Sequence, residues 1–394
     1  MKNIELQPQE AMEKIAVGNK NLVFGIPNEV SDDERRVALI PSAVQRIVNQ
    51  GCRVLVQEGA GIGALFSDKD YSDAGAEIVA TENEVFKADV ILKIKSLNEL
   101  EIKMLHDKQV VMSWMYYQQM NKKYFLDITK NKITAVAYNL IRNNDGQLPM
   151  LEAMSEIAGR AAVIAAANCL NDNALLLGGV AGIPSSEVVI IGAGNAAVSA
   201  CRTALGMNCS VKVFDDSPAR LKRLENIVGQ GVNTSVLDPE TLFDAVVRAD
   251  VVVCAKYTES AVSPMFVTEQ MVRKMKENAV IVDLGINRGG CCETSKTTSQ
   301  KNPVFKKHGI IHCCVPNITS KYSRTASVAI SNALITKLLS LIKCCGIDNL
   351  IRCDTSFAKG VYVYRGKLTN DNVGRKFGMN AQPLELLLPR FYEC

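Results

Sequence analysis

The segment EVVIIGAGNAA, from Glu187 to Ala197, decides the fold of this chain. An apolar run typical of a buried parallel strand leads into Gly192 and Gly194, and a helical pattern begins at about Asn195. The first glycine permits a tight turn, the second lets the backbone approach a pyrophosphate, and the helix start supplies N–H donors. Ala197 replaces a third glycine and is small enough for close packing. The segment predicts a dinucleotide site whose contacts are Gly192, Gly194, Asn195 and Ala196.

The strand that follows, SVKVFDDS, strengthens this prediction because it ends on an acid. Asp215 lies 21 residues beyond Gly194, where a carboxylate can accept hydrogen bonds from the adenosine ribose hydroxyls. That carboxylate would repel a 2′-phosphate, so NAD(H) is favoured over NADP(H). Two alternatives stay open: Asp216 is the ribose partner, or the glycines form a turn that holds no ligand.

Composition places the chain among globular proteins. Its 394 residues correspond to two or three domains at roughly 100 to 200 residues each. An apolar content of 47% with 22% charged residues excludes a disordered or fibrous protein. The 45 basic and 41 acidic residues are spread along the chain, which argues against a nucleic-acid or anionic-membrane partner. Residues 1–20 lack the apolar core of a signal peptide and no apolar run reaches roughly 18 residues, so we expect a cytoplasmic protein outside the membrane.

The thirteen cysteines favour buried, reduced thiols over staples or a metal centre. Adjacent cysteines do not close a tetrahedral zinc site by themselves, and the chain has no CxxC pair. The three histidines are poorly placed to complete such a site. We expect no metal.

Short β-branched runs alternate with helical patterns, which is the rhythm of βαβ units. Candidate strands form two series, 22–26, 53–57, 89–93, 110–114 and 133–137, then 187–191, 210–214, 251–255, 279–284 and 310–314. A long helical segment, 154–171, separates the series, and another helix begins near Thr325 before an irregular tail. We predict an α/β protein with two Rossmann-like domains, parallel sheets and a cleft between them.

Two cationic residues of the first series suit a substrate site. Arg36, in DERRVALIP, carries a guanidinium fork that matches a carboxylate. Lys95 ends DVILKIK, at the sheet edge where ligands collect in open α/β folds, and by strand alternation it shares a face with Lys93. If partly desolvated near Arg36, Lys95 has the chemistry of an acid, a base or an oxygen polariser. Both residues can equally be ordinary solvated charges.

The ordered motifs of the chain carry a resemblance to a known family. They are GIPNEVSDDERRVALIPSAV, GAGIGALFSD, DVILKIK, LPMLEAMSEIAGRAAV, GGVAGI, VVIIGAGNAAVSA, VDLGINRGGCCE and SFAKGVYVYRGKLTND. From about residue 22 to 375 this series resembles alanine dehydrogenase and the NAD-binding component of nicotinamide nucleotide transhydrogenase. The resemblance implies a substrate domain built from residues 21–149 and 324–394, an NAD-binding domain over 150–323, and an extension over 1–20. By analogy it also implies a homo-oligomer.

The resemblance also assigns roles to single residues. Arg36 matches the family's substrate-carboxylate arginine and Lys95 its substrate-oxygen lysine. Asn317, in CVPNITS, matches an asparagine near the nicotinamide and the substrate. Asp215 matches the ribose-binding acid, and Ser155 lies in a segment that lines the cofactor cleft.

Three departures from the family pattern change the expected chemistry. Tyr116 stands where the family has a catalytic histidine, Asn287 replaces an aspartate and is followed by Arg288, and Asn139 replaces a glutamate. Histidine titrates near neutral pH, whereas an unperturbed tyrosine has a pKa near 10. Ordinary alanine oxidation is therefore not expected. Lys95, Tyr116 and Asn287 remain the predicted catalytic residues.

The loop AKYTESAVSP, residues 255–264, lacks the family's Pro-Gly and introduces Lys256, Tyr257 and Glu259, which predicts a rebuilt rim near the nicotinamide ribose. The aromatic residues Trp114, Tyr116, Tyr117 and Tyr257, with Arg288, predict a less acidic cavity for a carboxylate substrate larger than pyruvate. We expect an NAD(H)-dependent amino-acid or imine dehydrogenase or reductase. The alternatives are a non-redox enzyme that uses NAD with transient hydride transfer, such as a cyclodeaminase or lyase, and a catalytically silent NAD(H)-binding relative.

Overall fold

A computed structural model describes residues 22–388 except 30, 32, 144, 172–173 and 257–263. The predicted extension, Tyr257 and Glu259 lie outside the described residues. The strands, in chain order, are β1 (Val23–Ile26), β2 (Arg53–Gln57), β3 (Glu77–Val79), β4 (Val90–Leu92), β5 (Val110–Ser113), β6 (Thr134–Ala137), β7 (Glu187–Ile191), β8 (Ser210–Asp215), β9 (Val232–Val236), β10 (Val251–Cys254), β11 (Val280–Asp283), β12 (Val304–Lys307), β13 (Ile310–Cys313), β14 (Val361–Tyr364) and β15 (Lys367–Leu368).

Helices connect these strands on both faces of the sheets. In chain order they are α1 (Pro41–Val48), α2 (Asp68–Asp73), α3 (Glu82–Val85), α4 (Glu99–Lys103), α5 (Lys122–Lys130), α6 (Pro149–Asn171), α7 (Asn195–Gly206), α8 (Pro218–Val228), α9 (Pro239–Arg248), α10 (Glu269–Lys274), α11 (Ser323–Lys343), α12 (Ile347–Cys353), α13 (Thr355–Ala358), α14 (Asp371–Phe377) and α15 (Leu384–Leu387). Single 3₁₀ turns cover Ile62–Ala64, Tyr138–Leu140, Ile286–Arg288 and Ile318–Tyr322.

The strands form two separate sheets, which confirms the predicted α/β class. The first has the order β15-β14-β6-β5-β4-β1-β2-β3, and the second has the order β12-β13-β11-β10-β7-β8-β9. All pairings are parallel except those of β14 with β6 and β15, and of β12 with β13. The expected irregular tail was wrong, because β14 and β15 extend the first sheet with an antiparallel edge.

Each sheet has a topological switch point, where successive strands stop adding on one side of the sheet and continue on the other side. Ligands of open α/β folds bind at such a point. In the first sheet this point lies between β1 and β4, which pair through Phe24 and Val90. In the second sheet it lies between β7 and β10, which pair through Ile191 and Cys254. Apart from Ser155, which lies on α6, and Asn317, which follows β13, the predicted site residues lie at or after the carboxyl ends of these four strands or of their neighbours.

Two long helices connect the halves of the molecule. The first turns of α6 bury Met150 and Met154 in the core around the first sheet, whereas its Ala162 and Ala166 belong to the core of the second sheet. Helix α11 packs against the first sheet. Together with the 3₁₀ turn before it, α11 forms a helical stretch, Ile318–Lys343, that is long and apolar enough, by length and composition, to cross a membrane, and half of its most apolar window is buried in the protein. Leu334 and Leu338 are fully buried, so this apolar face is a core face.

The sulfur atoms of Cys254 and Cys291 form a disulfide, with their Cα atoms 6.2 Å apart. The expectation that all cysteines are reduced was therefore wrong for this pair. The bond connects the end of β10 to the segment that follows the turn after β11. Asp283 lies beside it, and its carboxylate accepts hydrogen bonds from the amides of Gly285 and Cys291 and from the Ser295 hydroxyl. These bonds compensate for the burial of the carboxylate.

Candidate active site

A cavity of about 520 Å³ lies between the carboxyl ends of the two sheets. Its volume falls within the range of small-molecule and cofactor sites, roughly 300 to 1,000 Å³. Most of the predicted site residues line it, namely Arg36, Lys95, Tyr116, Ser155, Ala196, Asn287 and Asn317. The fold thus brings together residues that are more than 200 positions apart in the sequence.

The glycine turn after β7 has the form that a pyrophosphate requires. Gly192 has φ of 109°, and a Cβ at this position would lie 2.6 Å from the Lys256 Cα atom, so only glycine fits. Among the described residues, a Cβ on Gly194 would meet nothing within 4 Å. No side chain of the described part of the chain caps helix α7 where it begins at Asn195, so its first amides are available to a ligand. The turn fits a dinucleotide.

The predicted ribose-binding acid, Asp215, already accepts hydrogen bonds from groups within the protein. It is 1% exposed at the end of β8 and does not line the cavity. Its Oδ2 accepts from the Ala193 amide at 3.0 Å, and its Oδ1 accepts from the Ser217 amide at 2.9 Å. The carboxylate therefore braces the glycine turn, and part of its hydrogen-bonding capacity is used inside the protein.

Lys256 takes up more of that capacity. Its side chain is 4% exposed, and its Nζ lies 3.2 Å from Asp215 Oδ2 and 2.7 Å from Asp216 Oδ1. The hydrogen bond from Lys256 holds the pKa of Asp216 below its usual value. Sequence reasoning placed Lys256 near the nicotinamide ribose, but its amine lies at the acids that follow β8. The reason is that β10 is next to β7, so the backbone after β10 runs directly against Gly192.

Arg36 lies at the other end of the cavity in a buried ion pair. Its Nε donates to Glu34 Oε1 at 2.7 Å, its Nη2 donates to Glu34 Oε2 at 2.6 Å, and its Nη1 donates to Thr319 Oγ1 at 3.1 Å. Burial opposes ionisation of Glu34, but the bonds and charge of Arg36 outweigh it and lower the pKa of that carboxyl. A guanidinium has five N–H groups. Four of them donate to Glu34, to Thr319 and, at 3.6 Å, to the Met154 sulfur, which is a weak acceptor, so one N–H on Nη2 is left for a carboxylate in the cavity.

Lys95 follows β4 at the switch point of the first sheet. Its Nζ donates to Ser31 Oγ at 2.7 Å, and Glu29 accepts from the amides of Ile94 and Lys95 at 2.6 and 3.3 Å. The strand ends at Leu92, so the alternation rule does not reach Lys95. Lys93 instead turns into a buried ion pair with Glu101 and does not line the cavity.

The three departures from the family pattern have different surroundings. Tyr116 is half-buried in the cavity wall, with its ring 5.8 Å from that of Trp114. Asn139 does not line the cavity, because its amide accepts from Met115 N at 2.8 Å and donates to Met115 O at 3.1 Å. Asn287 lines the cavity, and its backbone carbonyl oxygen accepts a hydrogen bond from Gln119 Nε2 at 2.6 Å. Asn139 therefore positions the strand end before Tyr116.

Asn317 and Ser155 complete the predicted set. Asn317 has φ of 52° and ψ of 46°, a left-handed conformation that asparagine tolerates better than most residues. Ser155 lies on α6. A Cβ added to Gly159, one turn further along, would lie 2.0 Å from the carbonyl of Ala196, so α6 and α7 touch at this glycine. This contact holds the glycine turn and the Ser155 helix at a fixed separation.

The charged side chains that line the cavity are all cationic, and the carboxylates that pair with Arg36 and Lys256 lie outside its lining. Arg36, Lys95, Lys256 and Arg288 line it, and no carboxylate does so among the residues that the structure describes. Tyr117, expected in the wall, instead has its ring 5.9 Å from the amine of Lys376. The lining favours an anionic substrate and an anionic cofactor.

Sequence reasoning missed several residues of the site. Glu34, Thr319, Met154 and Gln119 were not singled out, although the spacing Glu34-x-Arg36 was a signal that the arginine has a local partner. Thr319 comes from the turn before α11 and Met154 comes from α6, and no local sequence pattern connects either of them to Arg36. Their role depends on long-range packing.

Comparisons with known proteins agree with this geometry. The family model described as alanine dehydrogenase/PNT, N-terminal domain, matches residues 25–158, and that for the C-terminal domain matches residues 162–371. The chain is 34% identical over 367 residues to an alanine dehydrogenase of Staphylococcus haemolyticus, covering 92% of this chain and 98% of that protein. Alanine dehydrogenase 2 of Staphylococcus aureus matches with the same identity and coverage.

Solved structures give the same result for the fold. An L-alanine dehydrogenase superposes with a TM-score of 0.85 at 30% identity, over 91% of this chain and 99% of that one. A transhydrogenase from Sinorhizobium meliloti superposes with a TM-score of 0.78 at 24% identity, over 88% of this chain and all of that one. At that identity the transhydrogenase supports the fold alone.

Proposed function

Because the chain belongs to the alanine dehydrogenase/PNT family, we propose that it is an NAD(H)-dependent oxidoreductase acting on an amino acid, imine or 2-oxo acid. One observation carries this proposal. A single cavity is lined by Ala196, in the first turn of α7 directly after the glycine turn, and by Arg36, Lys95 and Tyr116. A dinucleotide seated on the turn would therefore extend towards a carboxylate clamp and two proton-carrying side chains.

The bound nicotinamide would supply the hydride acceptor or donor, and the side chains would orient the substrate for transfer. Glu34 and Thr319 fix the guanidinium plane, and Arg36 binds the substrate carboxylate through its remaining N–H on Nη2 and through the Nη1 N–H that only the Met154 sulfur accepts. Lys95 donates to the substrate oxygen or nitrogen and polarises it. The Tyr116 hydroxyl is the group that moves the proton, since the described wall contains no histidine.

We propose that alanine and pyruvate are not the preferred substrates. The family's histidine and aspartate positions hold Tyr116 and Asn287, so neither supplies a base that titrates near neutral pH. The described wall has no carboxylate to replace them. A substrate that already carries an unsaturated C=N bond needs proton donation and hydride transfer alone, which matches this set of donors better than alanine oxidation does.

The aromatic wall supports a substrate larger than pyruvate. Trp114 lies between the rings of Tyr116 and Tyr138, each at 5.8 Å. Its Nε1 is buried and has no hydrogen-bond partner among the described residues, whereas a buried indole N–H usually finds an acceptor. An acceptor atom on a larger substrate would satisfy it.

The test is to follow NADH at 340 nm with panels of 2-oxo acids, cyclic imines and amines. We expect consumption that requires both the coenzyme and one substrate class, with pyruvate and ammonium a poor pair. Lys95→Met should abolish turnover, and Lys123→Met, on an exposed ion pair with Glu99, should leave it unchanged. Product formed without net NADH consumption would contradict the proposal and indicate a non-redox enzyme in which the hydride leaves the substrate and returns to it. Coenzyme binding without any product would replace it with a silent NAD(H)-binding protein.

A further inference from the structure

The coenzyme end of the cavity contains a buried cation that the fingerprint does not require. Lys256 places its amine between the carboxylates of Asp215 and Asp216, and it lines the cavity. The side chain is held there on both sides, because the backbone at residue 256 touches Gly192 and the amine lies 5.9 Å from the Phe266 ring centre. The amine is therefore a fixed feature of the wall.

Its position changes the usual argument about coenzyme choice. An acid at the end of the second strand selects NAD(H) because its free carboxylate accepts from the ribose hydroxyls and repels a 2′-phosphate. Here Asp215 Oδ2 accepts from both Ala193 N and Lys256 Nζ, and Oδ1 accepts from Ser217 N. The carboxylate thus has little capacity left for hydroxyls, and its charge is opposed at 3.2 Å.

Further cations surround the two acids. Arg220 Nη1 lies 3.9 Å from Asp215 Oδ1, and the side chain is about half exposed. Arg223 Nη2 donates to Asn195 Oδ1 at 3.1 Å, at the start of α7. Lys256 and Arg220 therefore face the two carboxylates that follow β8, and Arg223 adds a third cation at the start of α7. Long, exposed arginine side chains can turn towards a phosphate, and their fork matches its oxygens.

We propose that Lys256, with Arg220 beside it, makes this coenzyme site accept a 2′-phosphorylated dinucleotide, NADPH, as well as NADH. The inference rests on the proposed function, because it concerns the same dinucleotide site. The 2′-phosphate lies near Lys256 and Arg220 and takes over part of the contact that Lys256 makes with the exposed carboxylate of Asp216. Asp215 keeps its structural bonds to the glycine turn in both complexes.

The test is fluorescence titration of the full chain with NADH and with NADPH, a readout that does not need turnover. We expect the two dissociation constants to agree within about tenfold for the unaltered protein. Lys256→Met should weaken NADPH binding at least tenfold relative to NADH, because it exposes the phosphate to two unopposed acids. The matched control is Lys276→Met. Its amine pairs with Asp250 at 2.8 Å at the opposite end of β10, and it should change neither constant.

Asp216→Asn gives an independent result if Lys256→Met proves unstable. The Asp216 side chain is 65% exposed, so the substitution should not unfold the protein. It removes a negative charge and releases Lys256, so NADPH binding should tighten several-fold while NADH binding changes little. NADPH more than a hundredfold weaker than NADH in the unaltered protein, or equal effects of the variants on both coenzymes, would overturn the inference alone. Failure of both coenzymes to bind would overturn the proposed function as well.

Discussion

The buried ion pair of Glu34 and Arg36 gives a prediction that can be worked out from the structure. The two side chains are 0% and 5% exposed and are joined by two parallel hydrogen bonds. Glu34→Gln keeps the shape of the side chain and removes its charge. The Arg36 guanidinium then stays buried with Thr319, the weakly accepting Met154 sulfur and a single amide oxygen as its acceptors.

Breaking a buried ion pair by removing one partner costs about 3 to 5 kcal/mol, because the other charge is left uncompensated. The glutamine oxygen still accepts one hydrogen bond, so we expect the lower end, about 3 kcal/mol. For a unit of roughly 200 residues, each kcal/mol lowers Tm by about 2 to 4 °C. Glu34→Gln should therefore lower the Tm of the unit that contains the first sheet by about 6 to 12 °C.

The chain contains a matched control for this variant. Arg53 and Glu77 form the same two-bond pair at 2.7 Å and 2.7 Å, but their side chains are 62% and 48% exposed. Water and salt screen such a pair. Glu77→Gln should leave Tm unchanged within error in a calorimetric scan. If both variants shift Tm equally, burial is not what makes the Glu34 pair strong.

The pH dependence tests the same pair through its sign. Arg36 lowers the pKa of Glu34 in the folded state. The pair therefore contributes stability that is fully present above the unfolded pKa of about 4.3 and is lost as pH falls through the lower folded pKa. The difference in Tm between the unaltered protein and Glu34→Gln should shrink as pH falls below about 4. A difference that stays constant down to pH 3 would refute the reasoning.

Three further predictions concern the cavity and its walls. Tyr116→His should raise turnover with pyruvate and ammonium and introduce a pH dependence near 6.5, because it supplies a base that titrates there; an unchanged pH–rate profile would contradict this. Lys95→Met should lower kcat at least a hundredfold while the dissociation constant of NADH, measured by fluorescence, changes less than threefold; a parallel loss of NADH binding would show that Lys95 acts on the coenzyme. Gly159→Ala should lower the free energy of unfolding by about 1 to 3 kcal/mol in a urea titration, because the new Cβ would lie 2.0 Å from the Ala196 carbonyl. It should also weaken NADH binding. Unchanged stability would mean that α6 and α7 can separate at this contact.

Much of the fold was predictable because its signals are local. Strands β2 and β7 begin and end at the predicted residues, since β-branched runs bounded by polar residues define them. Helix α7 begins at Asn195, as the glycine turn predicts. The strands that were not predicted, β3, β9, β12, β14 and β15, are two to five residues long and lie at or next to an edge of a sheet, where so short a run carries no clear period.

The sequence predicted which residues belong to the site better than it predicted which partners they bind. Arg36 and Lys95 could be chosen because each follows or precedes a recognisable element, and both line the cavity. The bonds of Lys256 to Asp215 and Asp216 could not be predicted, because they depend on β10 pairing with β7. Strand order is a long-range property, and it decides which loops meet at the switch point.

A crystal structure of the protein with NADH bound would show directly whether the coenzyme occupies the cavity between the two sheets. We predict that the pyrophosphate lies on the backbone amides of Gly194 and Asn195, with the nicotinamide ring in the cavity facing Lys95 and Tyr116. A dinucleotide bound elsewhere, or a cavity that stays closed to NADH at saturating concentration, would contradict the account.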